Sequence, residues 1–314
     1  MNRLMIYFFY DKDGIVDEYV SFFLKKFRPF CNEICVVVNG CLTEASCANL
    51  ESMVDKVLIR GNNGMDAGAY QYAIRHYGYE KLATYDELIL CNFTVFGPLF
   101  SLQEMFRTMD AKQCDWWGLY RWFIGGEHPY RHIPSFFVVY RQKLLATSDF
   151  KDYWETLPPT NSYMASVLNH EQRQTPYYAD KGYHCETYID DLKYKKHWPR
   201  HWPLYCADRV VIEDKCPFVK RRIFFVHNGH FEYPSPAFNI IPFIRSHTQY
   251  DVNLIYENIK RTFFPTIGFY SFAVKWLWLS IKQILLPWKF RHYTTKKASL
   301  MLSYKLAKQF LRPL

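Results

Sequence analysis

The N-terminal third of the chain alternates between two hydrophobic periods. Leu4 to Tyr10 is an unbroken apolar run of strand length. Val16, Val20, Phe23, Leu24 and Phe27 then recur at helical spacing, which predicts a helix over Val16 to Phe27. Ile34 to Val38 is a second β-branched run. A short helix is predicted over Thr43 to Met53, a third strand over Lys56 to Ile59, a helix over Ala67 to Tyr77, and a fourth strand over Glu87 to Cys91. Short apolar strands alternating with helices predict an α/β chain whose parallel sheet is covered on both faces. The β-α-β-α-β-α-β order is that of the nucleotide-binding half of a doubly wound, Rossmann-type fold.

Beyond Asn92 the pattern is mixed. Helices are predicted over Ser101 to Met109, Phe150 to Glu155 and Ser162 to Gln172, and strands over Asp115 to Tyr120 and Phe136 to Tyr140. From Thr175 to Cys216 no clean period survives. The stretch after Asn258 differs again. Its longest uncharged run, Thr262 to Val274, is shorter than the roughly 20 residues a membrane span needs. Lys297, Lys305, Lys308 and Arg312 fall within an arc of about 80° on a helix, with Leu302, Leu306 and Phe310 opposite. Such a helix either lies in a membrane interface or packs on its own domain.

Charge sharpens that division. The chain has 39 Lys and Arg against 30 Asp and Glu. Eleven of the basic residues, and no acid, lie between Asn258 and Leu314, which leaves 28 against 30 in the body. A globally basic nucleic-acid binder is excluded by that balance. Aromatics make up 19% and charged residues 22% of the 314 residues, so a disordered chain is excluded too. Nine cysteines at scattered positions match no common zinc spacing, and Met1-Asn2-Arg3 leads straight into a strand. Both observations predict a reduced, cytoplasmic protein without a metal-thiolate site.

In an open α/β sheet the ligand binds at the carboxyl ends of the strands, so the residues following each strand are the first candidates. These are Asp11 after the first, Asn39 after the second, and Arg60-Gly61-Asn62-Asn63-Gly64-Met65-Asp66-Ala67-Gly68 after the third. Asn92-Phe93-Thr94 follows the fourth. The third loop is the richest. Its glycines allow close backbone approach to a ligand, and Asp66 is placed to cap a helix whose N-terminus suits a phosphate. A tight loop with an ordinary cap would read the same way.

Six motifs in order carry a resemblance to a known family. They are Tyr10-Asp11-x-x-Gly14-x-Val16-Asp17; Arg60-x-x-Asn63-Gly64-x-Asp66-x-Gly68-Ala69; and Leu90-x-Asn92-x-x-Val95-Phe96-Gly97-Pro98. Asp115-x-Trp117-Gly118, His132-x-x-Ser135-Phe136-Phe137, and Glu171 with Lys181-Gly182-Tyr183 follow. Over residues 4 to 225 the chain resembles the rhamnan synthesis protein F family, bacterial glycosyltransferases of rhamnose-containing cell-wall and lipopolysaccharide O-chain glycans.

The resemblance implies a GT-A-like transferase domain over 1–257, with a nucleotide-binding half at 1–100 and an acceptor-side half at 101–257. The basic amphipathic tail, 258–314, would hold it on the cytoplasmic face of the membrane near a lipid-linked glycan acceptor. The implied donor-binding residues are Asp11, Asn39, Arg60, Asn63, Asp66, Asn92 and Thr94. Glu171 is the implied general base, with Asp190 and Asp191 as alternatives. Trp117 is an acceptor wall or core. His132 touches substrate or is structural. Lys220 and Arg221, beside Arg222, reach a pyrophosphate or form a solvated basic turn.

One departure stands out. GT-A enzymes usually carry Asp-x-Asp after the fourth strand to hold a divalent cation on the diphosphate, and this family usually has Asn-Asp-Ser. Here the residues are Asn92-Phe93-Thr94, without a carboxylate. Weak or absent metal dependence is therefore expected, with Mg or Mn held by Asp66 as one alternative. A catalytically silent partner in the same pathway is another.

Overall fold

The computed structural model describes residues 1–124, 130–195, 202–224 and 234–267. Eleven strands occur among them: β1 (Arg3–Tyr10), β2 (Glu33–Asn39), β3 (Lys56–Arg60), β4 (Glu87–Asn92), β5 (Val95–Phe96), β6 (Trp116–Gly118), β7 (Trp122–Ile124), β8 (Tyr130–His132), β9 (Phe137–Arg141), β10 (Cys185–Thr187) and β11 (Val219–Lys220). Seven of them form one sheet in the order β3-β2-β1-β4-β9-β6-β10. The first four are mutually parallel. Strand β9 runs antiparallel to both β4 and β6, while β10 is parallel to β6. The fold is thus the mostly parallel α/β arrangement expected, with one reversed strand in its middle.

Both faces of the sheet are buried, which is why its strands read as continuous apolar runs. Along β1, Met5, Tyr7 and Phe9 enter one core with Tyr19, Phe23, Leu24 and Phe27 of the helix Glu18–Phe27. Leu4, Ile6 and Phe8 enter the other, with Tyr70, Ala73 and Ile74 of the helix Met65–Tyr77. The period of two is intact; only its polar half is missing. Phe23 shows the packing: its ring lies 5.2 Å from Tyr7, 4.6 Å from Phe27 and 5.4 Å from Phe218. Truncating such a side chain to alanine costs about 3–5 kcal/mol.

The amino-terminal end of the sheet is closed by a buried ion cluster. Glu87, 1% exposed, accepts from Arg3 Nε at 2.6 Å and from Trp117 Nε1 at 3.2 Å, and lies 3.4 Å from Arg141 Nε. Arg3 also reaches Asp110 at 2.9 Å.

Several elements depart from the sequence reading. The helix expected to end at Gln172 continues through Gln172–Ala179 despite Pro176. Two further helices, Pro234–His247 and Asn253–Ile267, are present. The second runs through position 258, so the basic stretch begins inside a helix attached to the body. Its Asn258 donates to Asp17 Oδ2 at 2.5 Å, and Arg261 bonds Asp17 at 2.7 Å and Asp11 at 2.5 Å. The amphipathic helices expected after Ile267 lie outside the described residues. Among the described residues, no helix is long and apolar enough to cross a membrane.

Candidate functional site

The loop after β3 is held from within. Arg60 donates to Asn39 Oδ1 at 2.9 Å, to the Asn63 carbonyl at 2.9 Å and to Asn63 Oδ1 at 2.5 Å. Asn39, fully buried, donates to the Asn63 and Met65 carbonyls at 3.3 Å. Gly64 has φ +72° and lies against Gly68, where a Cβ would come 3.0 Å from the Gly68 Cα. Arg60, Asn39 and Asn63 therefore shape the loop. The helix begins at Met65 with Gly64 as its cap, so Asp66 is not the cap but sits inside the first turn. Its carboxylate turns towards the carboxyl end of β4.

There it meets a cluster drawn from four segments. Asp66 Oδ2 accepts from Asn92 Nδ2 at 3.2 Å, and Oδ1 accepts from the Ser166 hydroxyl at 3.0 Å and the Ala67 N–H at 2.9 Å. The Ser135 hydroxyl oxygen lies 2.6 Å from Asp66 Oδ2 and 2.7 Å from Glu171 Oε1. A serine has one proton to donate, so one of these two short contacts needs a proton from a carboxyl group. Glu171 is the better holder: burial and then the Asp66 charge raise its pKa, against the Ser135 bonds and Lys220. Asp66 and Glu171 are thus joined through the Ser135 hydroxyl.

Glu171 is delivered by an unusual helix. Between Tyr163–Ser166 and Gln172–Ala179 the segment Val167–Glu171 is a π-helix, and the Gln172 N–H bonds the Val167 carbonyl. The wider turn lets two consecutive side chains face the protein. His170, 1% exposed, has its Nδ1 2.8 Å from the Tyr153 hydroxyl, and burial lowers its pKa to about 4. Glu171 points at Ser135.

Lys220 closes the cluster from the other side. Antiparallel pairing of β5 with β11 sets it opposite Val95, one residue beyond the Asn92-Phe93-Thr94 turn. Its Nζ donates to Thr94 Oγ1 at 2.9 Å and stands 3.8 Å from the Phe136 ring centre. Thr94 in turn donates to Asn92 Oδ1 at 2.6 Å. Burial lowers the Lys220 pKa to about 8, against the pull of Glu171 and Asp66.

Asp66, Asn92, Thr94, Glu171 and Lys220 are therefore brought together, with Arg60, Asn39 and Asn63 shaping the adjoining loop. Asp11 is elsewhere: it accepts from the Asp13 and Ile15 amides and is engaged by Arg261. Burial works to raise its pKa, but the Arg261 bond and those amides hold it below the usual range. Arg221 is a structural strap, donating to the Tyr19 hydroxyl at 2.9 Å and the Phe93 carbonyl at 3.3 Å. Trp117 is fully buried against Phe106 and Phe137, so it is core and offers no wall to an acceptor. His132, 2% exposed, is kept neutral by burial, with a pKa of about 4. Asp191 is 3% exposed and committed to Arg131; Asp190, which is exposed, accepts from the Leu192 amide. The sequence reading missed the bridging role of Ser135 and the support from Ser166.

The Asp66 geometry does not fit a divalent cation. Each of its oxygens already takes two hydrogen bonds, which uses the roughly four lone-pair sites a carboxylate has. Among the described residues, no group of three or more His, Cys, Asp or Glu is arranged to hold a metal ion.

Comparison with known proteins places this geometry in context. Distant likenesses exist to solved structures. HddC from Yersinia pseudotuberculosis matches at 12% identity and a TM-score of 0.32, over 46% of this chain and 79% of that one. A cytidylyltransferase from Leptospira borgpetersenii matches at 11% and 0.37, over 80% and 98%. A mannosyltransferase from S. cerevisiae matches at 11% and 0.31, over 55% and 62%. Likenesses this distant carry no functional information. No curated protein matches the chain. The family model described as rhamnan synthesis protein F matches residues 34–302. That span continues past residue 225, where the recognisable motifs end, and takes in much of the basic tail. The chain belongs to the rhamnan synthesis protein F family.

Proposed function

We propose that this protein is a glycosyltransferase that moves a sugar, rhamnose by family, from a nucleotide-diphosphate donor to a growing, lipid-linked cell-surface polysaccharide. The observation that carries the reading is the Asp66–Ser135–Glu171 bridge at the carboxyl end of β4, facing Lys220. That edge is where open α/β sheets bind nucleotides. In a single displacement, the acceptor hydroxyl oxygen bonds the anomeric carbon as the bond from that carbon to the diphosphate breaks. In its ionised form, with the proton of the Ser135 bridge given up to solvent, Glu171 takes the hydroxyl proton. A base whose pKa is raised towards neutrality is matched to that task, and Ser135 and Asp66 hold it in position. The product would carry the inverted configuration. The basic tail, 258–314, supports a site of action on the cytoplasmic membrane surface, where anionic lipid contributes about 1 kcal/mol per well-placed cation.

The test is nucleotide release. The full chain is incubated with UDP-, dTDP-, GDP- and CMP-sugars and a polyprenyl-linked glycan acceptor. One donor should be turned over, and Glu171→Gln should lower turnover by about 10²–10⁴ while retaining nucleotide binding. Absence of turnover with every donor would leave a catalytically silent partner as the reading.

A further inference from the structure

We propose that Lys220 is the cation that receives the donor's diphosphate, in the place where a divalent metal ion would otherwise sit. The inference rests on the donor reading above and goes beyond it, by assigning the phosphate-binding group and the metal requirement.

Three observations converge on it. The turn after β4 supplies no metal ligand: Asn92 Oδ1 is already taken by the Thr94 N–H at 3.1 Å and the Thr94 hydroxyl at 2.6 Å. Asp66, the nearest carboxylate, has both oxygens saturated. Lys220 itself is under-used. Its ammonium has three protons, yet among the described residues it makes one hydrogen bond, to Thr94, and no ion pair. It feels the charges of Glu171 and Asp66 without contacting either. A half-buried ammonium that contacts neither carboxylate keeps two N–H donors which, among the described residues, a ligand can take.

The stem is fixed for this purpose. The β5–β11 ribbon sets the backbone, the Phe136 ring lies under the ammonium, and Thr94 orients one N–H. The two remaining donors suit phosphate oxygens, for which lysine acts as a compact point charge. A diphosphate carries more charge than a monophosphate, so the site should discriminate between them. The groups that face Lys220 are Glu171, Asp66, Cys91 and Arg222. Glu171, Asp66 and Cys91 favour its protonated form and Arg222 opposes it, and burial outweighs the three, so the amine titrates near pH 8.

The experiment is calorimetric titration of the full chain with UDP, dTDP and GDP and the matching monophosphates, in EDTA and again with Mn²⁺. One diphosphate should bind in EDTA at least tenfold more tightly than its monophosphate, and Mn²⁺ should change this by less than twofold. Lys220→Met should erase the diphosphate preference while the monophosphate still binds, which shows the variant is folded. Between pH 7 and 9 the wild-type affinity for the diphosphate should fall about tenfold, following loss of the ammonium, whereas Lys220→Arg, charged throughout, should stay level. Diphosphate binding that requires Mn²⁺, or a preference that survives in Lys220→Met, overturns the proposal and leaves the donor site standing. If no nucleotide binds under either condition, the donor reading fails as well.

Discussion

Strand β4 carries a charged cluster at each end. At its start, Glu87 is 1% exposed and lies in contact with two arginines, 2.6 Å from Arg3 and 3.4 Å from Arg141. At its end, Asn92 holds Asp66, which shares one serine hydroxyl with Glu171, while Lys220 stands apart from both. In the first cluster every acid has a cation against it. Burial disfavours the Arg3 charge, and Glu87 with Asp110 more than offsets that. In the second, two acids crowd together and their nearby cation is displaced towards its neutral form. A matched cluster closes the sheet. The mismatched one leaves, among the described residues, an ammonium with two unused N–H donors for a ligand, which is the mark of a functional site.

Substitutions at the two ends should separate these roles. The largest effect is expected from Glu171→Gln, which removes the base and should lower turnover by about 10²–10⁴ without lowering the melting temperature. At the other end, Glu87→Ala leaves Arg3 and Arg141 facing an empty space and should cost about 3–5 kcal/mol in urea unfolding. Any protein that folds should keep its nucleotide affinity. Loss of affinity without loss of stability in Glu87→Ala would break the comparison.

The pH dependence of stability sharpens it. The native Glu171 carboxyl holds its proton more tightly than the unfolded one. Its contribution to stability is full below the unfolded pKa of about 4.3 and is lost as pH rises through the raised native value. Glu171→Gln cannot suffer that loss, so it should gain on the wild type between pH 4 and 7. Denaturant midpoints across that range measure the difference. A Glu171→Gln chain that weakens relative to the wild type as pH rises would show that the carboxylate is stabilised in the fold, not strained.

The smallest expected effect is that of Ser135→Ala. It removes the shared hydroxyl but keeps the Ser135 N–H bond to Glu171 at 3.2 Å. Turnover should fall about tenfold or less, with the acid limb of the pH–rate profile displaced because the two carboxyls are no longer bridged. An unmoved acid limb would remove Ser135 from the proton path.

Much of the first half was legible in the sequence, for a physical reason. Strands buried on both faces are apolar throughout, and β1, β2, β3 and β4 match the expected strands to within about a residue at each end. The direction of β9 was not legible, since Phe136 to Tyr140 is equally apolar read either way and pairing direction is set by distant neighbours. The helix beyond Gln172 was hidden by Pro176, which reads as a breaker. The site splits in the same way. Asp66, Asn92 and Thr94 follow strands directly, so topology alone put them at one edge. Ser135 lies 69 residues from Asp66 and 36 from Glu171, and nothing local distinguishes it from an ordinary turn residue before a strand. Trp117 was ambiguous because a buried ring and a sugar-stacking ring look alike in sequence.

The central claim is that the Lys220 ammonium of the carboxyl-end cluster receives a nucleotide diphosphate. A thermal-shift panel with UDP, dTDP, GDP and CMP in EDTA tests it most directly. One nucleoside diphosphate at about 100 times its dissociation constant should stabilise the chain by about 2.7 kcal/mol, a rise of several degrees. That rise should persist in Glu171→Gln and fall to about half or less in Lys220→Met. A melting temperature that no nucleotide moves, with or without Mn²⁺, would contradict the claim.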